Sequence, residues 1–320
     1  MTDRFLTNGQ LEQLTTKQKI EYFSNLKEYC ISEYSRKNLG LGYGTVTKIY
    51  SKLRHYDYDI RGKSNIPEDG RALFVCNHSN SHDILTAIEI FRKLGFNTSV
   101  LVASDDLGSL TRKLFQSCDA VLIDRRDKNS TEKGVYTFSA NIINGMPGVI
   151  FGEATWNLHP YKRMHQIKIG SAKIGAITET PIIPTLFEYV EVPKICSREK
   201  DLYTECIIHF GSPIYIKKED SLITQTNQIQ KILEQMRFQI WSEIGIKKES
   251  IEDIDKEMYL NHTYLKKFDG LGYTYDSESE SKFLFSKNEK TTQNEFHLDE
   301  KGNFVPGITL KEEGKKYIKR

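Results

Sequence analysis

An apolar run, Leu73-Phe74-Val75-Cys76, stops abruptly at the polar cluster Asn77-His78-Ser79-Asn80-Ser81-His82-Asp83, and apolar residues at helical spacing resume from Ile84 to Phe91. The first stretch reads as a buried strand and the last as a helix with Ser81 in the N-cap position. His78 therefore falls in the turn between them, and the rest of the chain is arranged to support that junction.

His78 and Asp83 are five residues apart, which on one continuous helix is a rotation of roughly 140° and directs the side chains away from each other. They meet only if the chain is not helical at His78. A strand-to-helix turn supplies that break and leaves Asp83 in the first helical turn, where the helix dipole favours a negative charge. A carboxylate there fixes the imidazole tautomer and stabilises the imidazolium formed when His78 takes a proton. The competing reading is a surface turn rich in polar caps.

Strand and helix signals alternate beyond this point. Strands are expected at Ser99–Ala103, Ala120–Ile123, Gly148–Gly152, 181–187 and Thr204–Phe210, with a short one before them at Tyr56–Ile60. Helices are expected at Leu110–Gln116, Thr131–Ile143 and Ile169–Ile177. That alternation is the pattern of an α/β domain whose sheet is covered by helices, with its chemistry in loops at strand ends.

Ahead of the domain, Leu11, Leu14, Ile20, Tyr22, Phe23, Leu26, Tyr29 and Ile31 suit one or two amphipathic helices, followed by Gly40, Gly42 and Gly44 and a second helical stretch from Val46 to Leu53. Packing on the core is the first role expected of them, and a lid or membrane-resting surface the second. Behind the domain the pattern is helical from Ser221 to about Lys267, with Ile223, Ile229, Ile232, Leu233, Met236, Phe238 and Trp241 as a buried stripe. The remainder is polar and carries a modestly basic end, which predicts a loosely held extension.

Lys and Arg total 45 against 43 Asp and Glu, a formal charge of +2, so no global field points to nucleic acid. Five widely spaced cysteines (Cys30, Cys76, Cys118, Cys196, Cys206) and the lack of a secretory signal favour a reducing cytoplasm. Apolar runs fall short of the ~20 residues of a spanning helix, which leaves peripheral attachment to a membrane face open.

Asn77-His78 followed by Asp83 resembles the His-x4-Asp motif of lysophosphatidate acyltransferases and the wider glycerolipid acyltransferase superfamily. Leu122-Ile123-Asp124-Arg125 resembles that family's second motif, whose Arg is associated with the acceptor phosphate. Phe151-Gly152-Glu153-Ala154-Thr155 resembles the third, usually Phe-Pro-Glu-Gly-Thr, and Pro181-Ile182-Ile183-Pro184 the fourth. The motifs cover residues 74–187 in the family's order.

The resemblance implies an α/β fold with a mixed sheet flanked by helices. It implies transfer of an acyl group from a thioester, with acyl-CoA or acyl-carrier protein as co-substrate and neither metal nor cofactor. It divides the chain into an N-terminal helical segment (1–55), an acyltransferase catalytic domain (56–216), C-terminal helices (217–268) and a tail (269–320). His78 and Asp83 are then the expected catalytic residues, and Arg125, Glu153, Thr155 and Trp156 the expected substrate contacts. His78 would remove the acceptor hydroxyl proton, Arg125 would take an acceptor phosphate in its planar fork, and Glu153 would meet acceptor hydroxyls. Backbone N–H groups or a nearby side-chain donor are expected at the oxyanion.

Three departures bear on the acceptor. Gly152 and Ala154 replace the family's Pro and Gly, and Trp156 stands where a cation often follows the Thr, with Lys162 and Arg163 close by. An aromatic ring there suits stacking on a sugar or lipid glycerol, so the acceptor is expected to be a lysophospholipid or a polyol or glycan. Two other readings stand beside this one. His78, His82, Asp83 and Glu153 would make a hydrolytic metal site if both histidines lay on one helix, and an altered third motif is compatible with a lipid or acyl-carrier binding protein that does not turn over.

Overall fold

The computed structural model describes residues 5–32, 57–79, 82–104, 107–154, 164, 166–193, 202–244, 295–298 and 304–308. The expected helix at 46–53, the continuation of the last helix towards Lys267, Ser81, Thr155, Trp156, Lys162, Arg163 and Cys196 lie outside these residues.

Seven strands make one sheet: β1 (Asp57–Arg61), β2 (Leu73–Cys76), β3 (Ser99–Ala103), β4 (Val121–Ile123), β5 (Gly148–Phe151), β6 (Ile182–Pro193) and β7 (Leu202–Phe210). Their order is β1-β7-β6-β2-β5-β3-β4. From β6 to β4 neighbours are parallel, whereas β7 runs antiparallel to β6 and β1 parallel to β7. The sheet is therefore mixed and, with helices on its faces, of the α/β class expected. Strand boundaries match the sequence reading closely, except that β6 runs on to Pro193, because β7 pairs with it along its whole length.

β2 sits at the centre and all four of its residues are fully buried. Successive side chains of a strand point to opposite faces. Leu73 and Val75 accordingly join one apolar cluster and Phe74 and Cys76 the other. The second cluster is roofed by α3 (Asp83–Lys93), with Phe74 edge-on to Phe91 at 4.6 Å between ring centroids. The first is covered by α5 (Lys128–Ile143), α6 (Gly170–Thr178) and α7 (Leu222–Glu243), while α4 (Ser109–Gln116) joins β3 to β4.

The N-terminal helices, α1 (Asn8–Gln13) and α2 (Thr16–Ser32), belong to this core. Phe23, Leu26 and Cys30 of α2 are buried against α5 and α6. Glu179, the left-handed cap of α6, ties the arrangement down through ion pairs with Lys27 of α2 and Lys218. Lys173 of α6 is buried with its Nζ donating to the Leu6 carbonyl at 2.8 Å. Core packing is thus what α2 does.

The α7 stripe holds with one correction. Ile223 is 45% exposed, because Leu222 takes the inward position of the first turn and its neighbour is rotated by about 100°. Periodicity also passed over Arg237, which is buried on the same helix and donates through Nε to Glu188 of β6 at 2.9 Å, while Trp241 donates to the other oxygen at 3.0 Å. In the tail, expected as a loosely held extension, β8 (Glu295–Leu298) and β9 (Phe304–Ile308) pair antiparallel.

Burial pulls the Lys173 ammonium down from 10.5 to about 8. Between those values the unfolded chain holds a proton here that the folded chain lacks, so the contribution of Lys173 to stability rises with pH across this window. Buried thiols with raised pKa values contribute the opposite slope, so urea denaturation on either side of the window should give a change in stability with rising pH that is more favourable in the parent protein than in Lys173→Met.

Candidate active site

The β2–α3 turn departs from the ladder at Asn77, and helical geometry starts only at Asp83, with His82 in the N-cap position. His78 and Asp83 therefore meet as the turn allows: His78 Nδ1 lies 2.9 Å from Asp83 Oδ2. The same carboxylate oxygen accepts the Ser79 N–H at 2.8 Å. Asp83 is wholly buried at the N-terminus of α3, where the dipole supports its charge.

The turn is not a surface feature. His78 is 8% exposed, with its ring stacked on Phe151 at 4.5 Å and an interplanar angle of 26°. His82, in the N-cap position of α3, is also buried, at 2% exposure. His78 and His82 do not share a helix, and no cluster of metal-ligating side chains occurs among the described residues. Cys76 ends β2 beneath the site, and burial, with the Asp83 charge adding to it, pushes its thiol well above the usual range. It is held as a thiol and is no nucleophile.

Parallel pairing brings the third motif alongside, because Cys76 is level with Phe151 at the C-terminal ends of β2 and β5. Gly152 extends that ladder by one rung, its N–H donating to the Cys76 carbonyl at 2.8 Å, a bond that proline at this position cannot make. A Cβ on Gly152 would meet Ile167 and Val75 side chains at 3.0 Å. Glu153 is 1% exposed and its Oε1 accepts the His78 N–H at 2.7 Å. Ala154 has φ 61, the left-handed conformation that glycine adopts without a Cβ clash. The residue that replaces the motif's usual Gly is thus one whose backbone adopts positive φ.

Arg125 follows β4 and reaches the same turn, with Nη1 donating to the Ala154 carbonyl at 2.9 Å. The fourth motif enters β6, whose Thr185 pairs with Cys76 on the other side of β2. Two levels beyond, Asn77 closes a reciprocal pair: its Nδ2 donates to the Phe187 carbonyl at 2.8 Å, and the Phe187 N–H donates to its Oδ1 at 2.7 Å. Sequence reasoning quoted Asn77 only as a neighbour of His78. A polar amide directly after a buried strand was its one signal, and the partner is 110 residues away.

His78, Asp83, Arg125 and Glu153 are thus gathered at one end of adjacent parallel strands. A family model described as Acyltransferase matches residues 57–188. The matched segment takes in β1 to the first half of β6, and with it all four motif regions. The crystal structure of the 1-acyl-sn-glycerophosphate (LPA) acyltransferase PlsC from Thermotoga maritima is similar at a TM-score of 0.43 and 16% identity, over 71% of this chain and 85% of that one. No curated protein sequence matches.

A left-handed conformation costs a residue with a Cβ about 1–2 kcal/mol, partly offset in Ala154→Gly by the looser unfolded chain. Ala154→Gly should therefore stabilise the protein by up to about 1 kcal/mol in denaturant unfolding. A loss of stability would show that the Ala154 side chain makes a contact worth more than its strain.

Proposed function

We propose that the protein moves a fatty-acyl group from a thioester donor to an acceptor hydroxyl, with His78 as general base. The observation that carries this reading is the His78–Asp83 pair at 2.9 Å, buried beside the third-motif turn of the segment that matches the Acyltransferase family model. Asp83 holds the proton on Nδ1, which leaves Nε2 as the basic nitrogen. As the acceptor oxygen attacks the thioester carbonyl, Nε2 takes its proton; the C–S bond then breaks and the imidazolium returns a proton to the departing thiolate.

The N–H groups of His78 and Ser79 donate to Glu153 and Asp83, so these two amides are not assigned to the oxyanion. Arg125, whose Nη1 donates to the Ala154 carbonyl beside Glu153, is a proposed acceptor contact. Thr155 and Trp156 complete the proposed acceptor contacts. Gly152, Ala154 and Trp156 together support an uncharged polyol or glycan over lysophosphatidate as acceptor. Peripheral membrane contact is placed on the N-terminal segment, where Ile20 and Ile31 are exposed on one face of α2; among the described residues no helix is long and apolar enough to cross a membrane.

The test is turnover by purified protein with acyl-CoA and acyl-carrier donors against lysophosphatidate, other lysolipids and glycans. Removing a general base lowers the rate by about 10²- to 10⁴-fold. Because His78 is buried, His78→Gln, which keeps volume, should accompany His78→Ala, and both should lose turnover to that extent. Turnover near the parent rate in His78→Gln would remove His78 from the mechanism, and turnover of lysophosphatidate alone would overturn the acceptor assignment.

A further inference from the structure

Two side chains hold the catalytic turn from opposite flanks without taking part in the His78–Asp83 pair. On the β6 side, the Asn77 amide makes both a donor and an acceptor bond to the backbone of Phe187, at 2.8 and 2.7 Å. These bonds reproduce a rung of the β2–β6 ladder one residue past the point where β2 ends. On the β5 side, Glu153 Oε1 takes the His78 N–H at 2.7 Å. Asn77 and Glu153 are each 1% exposed, so both sets of bonds are shielded from water.

Without these contacts the turn would lose its definition at the residue where it matters. His78 has left the strand and has not entered the helix, so no regular hydrogen bond fixes its φ and ψ. Its ring must nevertheless stay within hydrogen-bonding reach of Asp83 and stacked on Phe151. The Asn77 bonds set where the chain leaves the sheet, and the Glu153 bond sets the peptide plane ahead of His78. The β6 anchor is itself rigid: Glu188, the next residue, is held by Arg237 and Trp241 of α7.

We infer that Asn77 and Glu153 are positioning residues, a two-sided clamp on the backbone of the turn that keeps the His78 imidazole aligned with Asp83. The inference rests on the proposed role of His78. It assigns Glu153 to the turn rather than to the acceptor, and it gives Asn77 a function that its sequence context does not. Displacement of a catalytic group by about 1 Å costs on the order of 10²-fold in rate, so a clamp acts on kcat, whereas an acceptor contact that binds ground and transition states alike acts on KM.

The experiment combines steady-state kinetics with the hydrogen-bonded imidazole N–H resonance of His78 in 15N-histidine-labelled protein, assigned by its loss in His78→Gln. Glu153→Ala and Asn77→Ala should lower kcat by about 10- to 100-fold at unchanged KM for donor and acceptor, and should broaden or remove the resonance. Glu153→Gln retains an oxygen for the His78 N–H and should restore both. Asn77→Asp keeps the volume and an acceptor for the Phe187 N–H but lacks the donor; it serves if Asn77→Ala does not fold, and it should weaken the resonance. A raised acceptor KM with kcat and resonance intact would make these residues substrate contacts and overturn the clamp, as would turnover and resonance unchanged in both alanine variants. Should the parent protein transfer no acyl group, the proposed function fails, while the resonance still decides whether Asn77 and Glu153 align His78.

Discussion

The structure depends on one buried carboxylate. Asp83 is wholly buried, and a bare carboxylate in that position would cost several kcal/mol. It is compensated by the Ser79 N–H, the His78 ring and the N-terminus of α3, all of which come together only because the chain leaves β2 at Asn77 and becomes helical at Asp83. The electrostatic need of one residue thereby selects the geometry of the junction, and the junction fixes where α3 lies over the Phe74 face of the sheet.

Sheet order then decides what surrounds that junction. β2 has β5 on one side and β6 on the other, both parallel to it, so the turns after β2 and β5 leave the sheet at the same end and level. Segments distant in sequence meet there through short-range bonds, His78 N–H to Glu153 and Asn77 to Phe187. Arg125 comes from the far edge of the sheet, where β4 ends, and reaches over the β3 position to the Ala154 carbonyl. The antiparallel β6–β7 pair carries β6 past the level of the turn, which gives Asn77 a backbone to bind.

The polar groups of this site are largely engaged with one another. Two turn amides are directed at carboxylates, Gly152 continues the ladder, and Ala154 carries the strain of a left-handed residue at the point where Arg125 binds. Such an arrangement holds the His78 and Asp83 side chains in place at the expense of local backbone strain at Ala154. It also explains why the third motif tolerates Gly in place of Pro: the added N–H finds the Cys76 carbonyl.

Much of this could be read from the chain itself. Apolar periodicity located the strands and helices, because burial on a sheet face or a helix stripe repeats every two or about 3.6 residues and leaves that repeat in the sequence. The five-residue spacing of His78 and Asp83 implied a break in helix between them, since local geometry suffices for the argument. Periodicity did not find Arg237 inside an apolar stripe, the burial of His82 or the partner of Asn77, and it placed Ile223 inside the core. Two of those depend on what another segment presents at the same point in space: Glu188 opposite Arg237 and the Phe187 backbone beside Asn77. Periodicity records only whether a position faces inward. Which polar group it meets there is set by strand order and register, and those are decided when the sheet assembles.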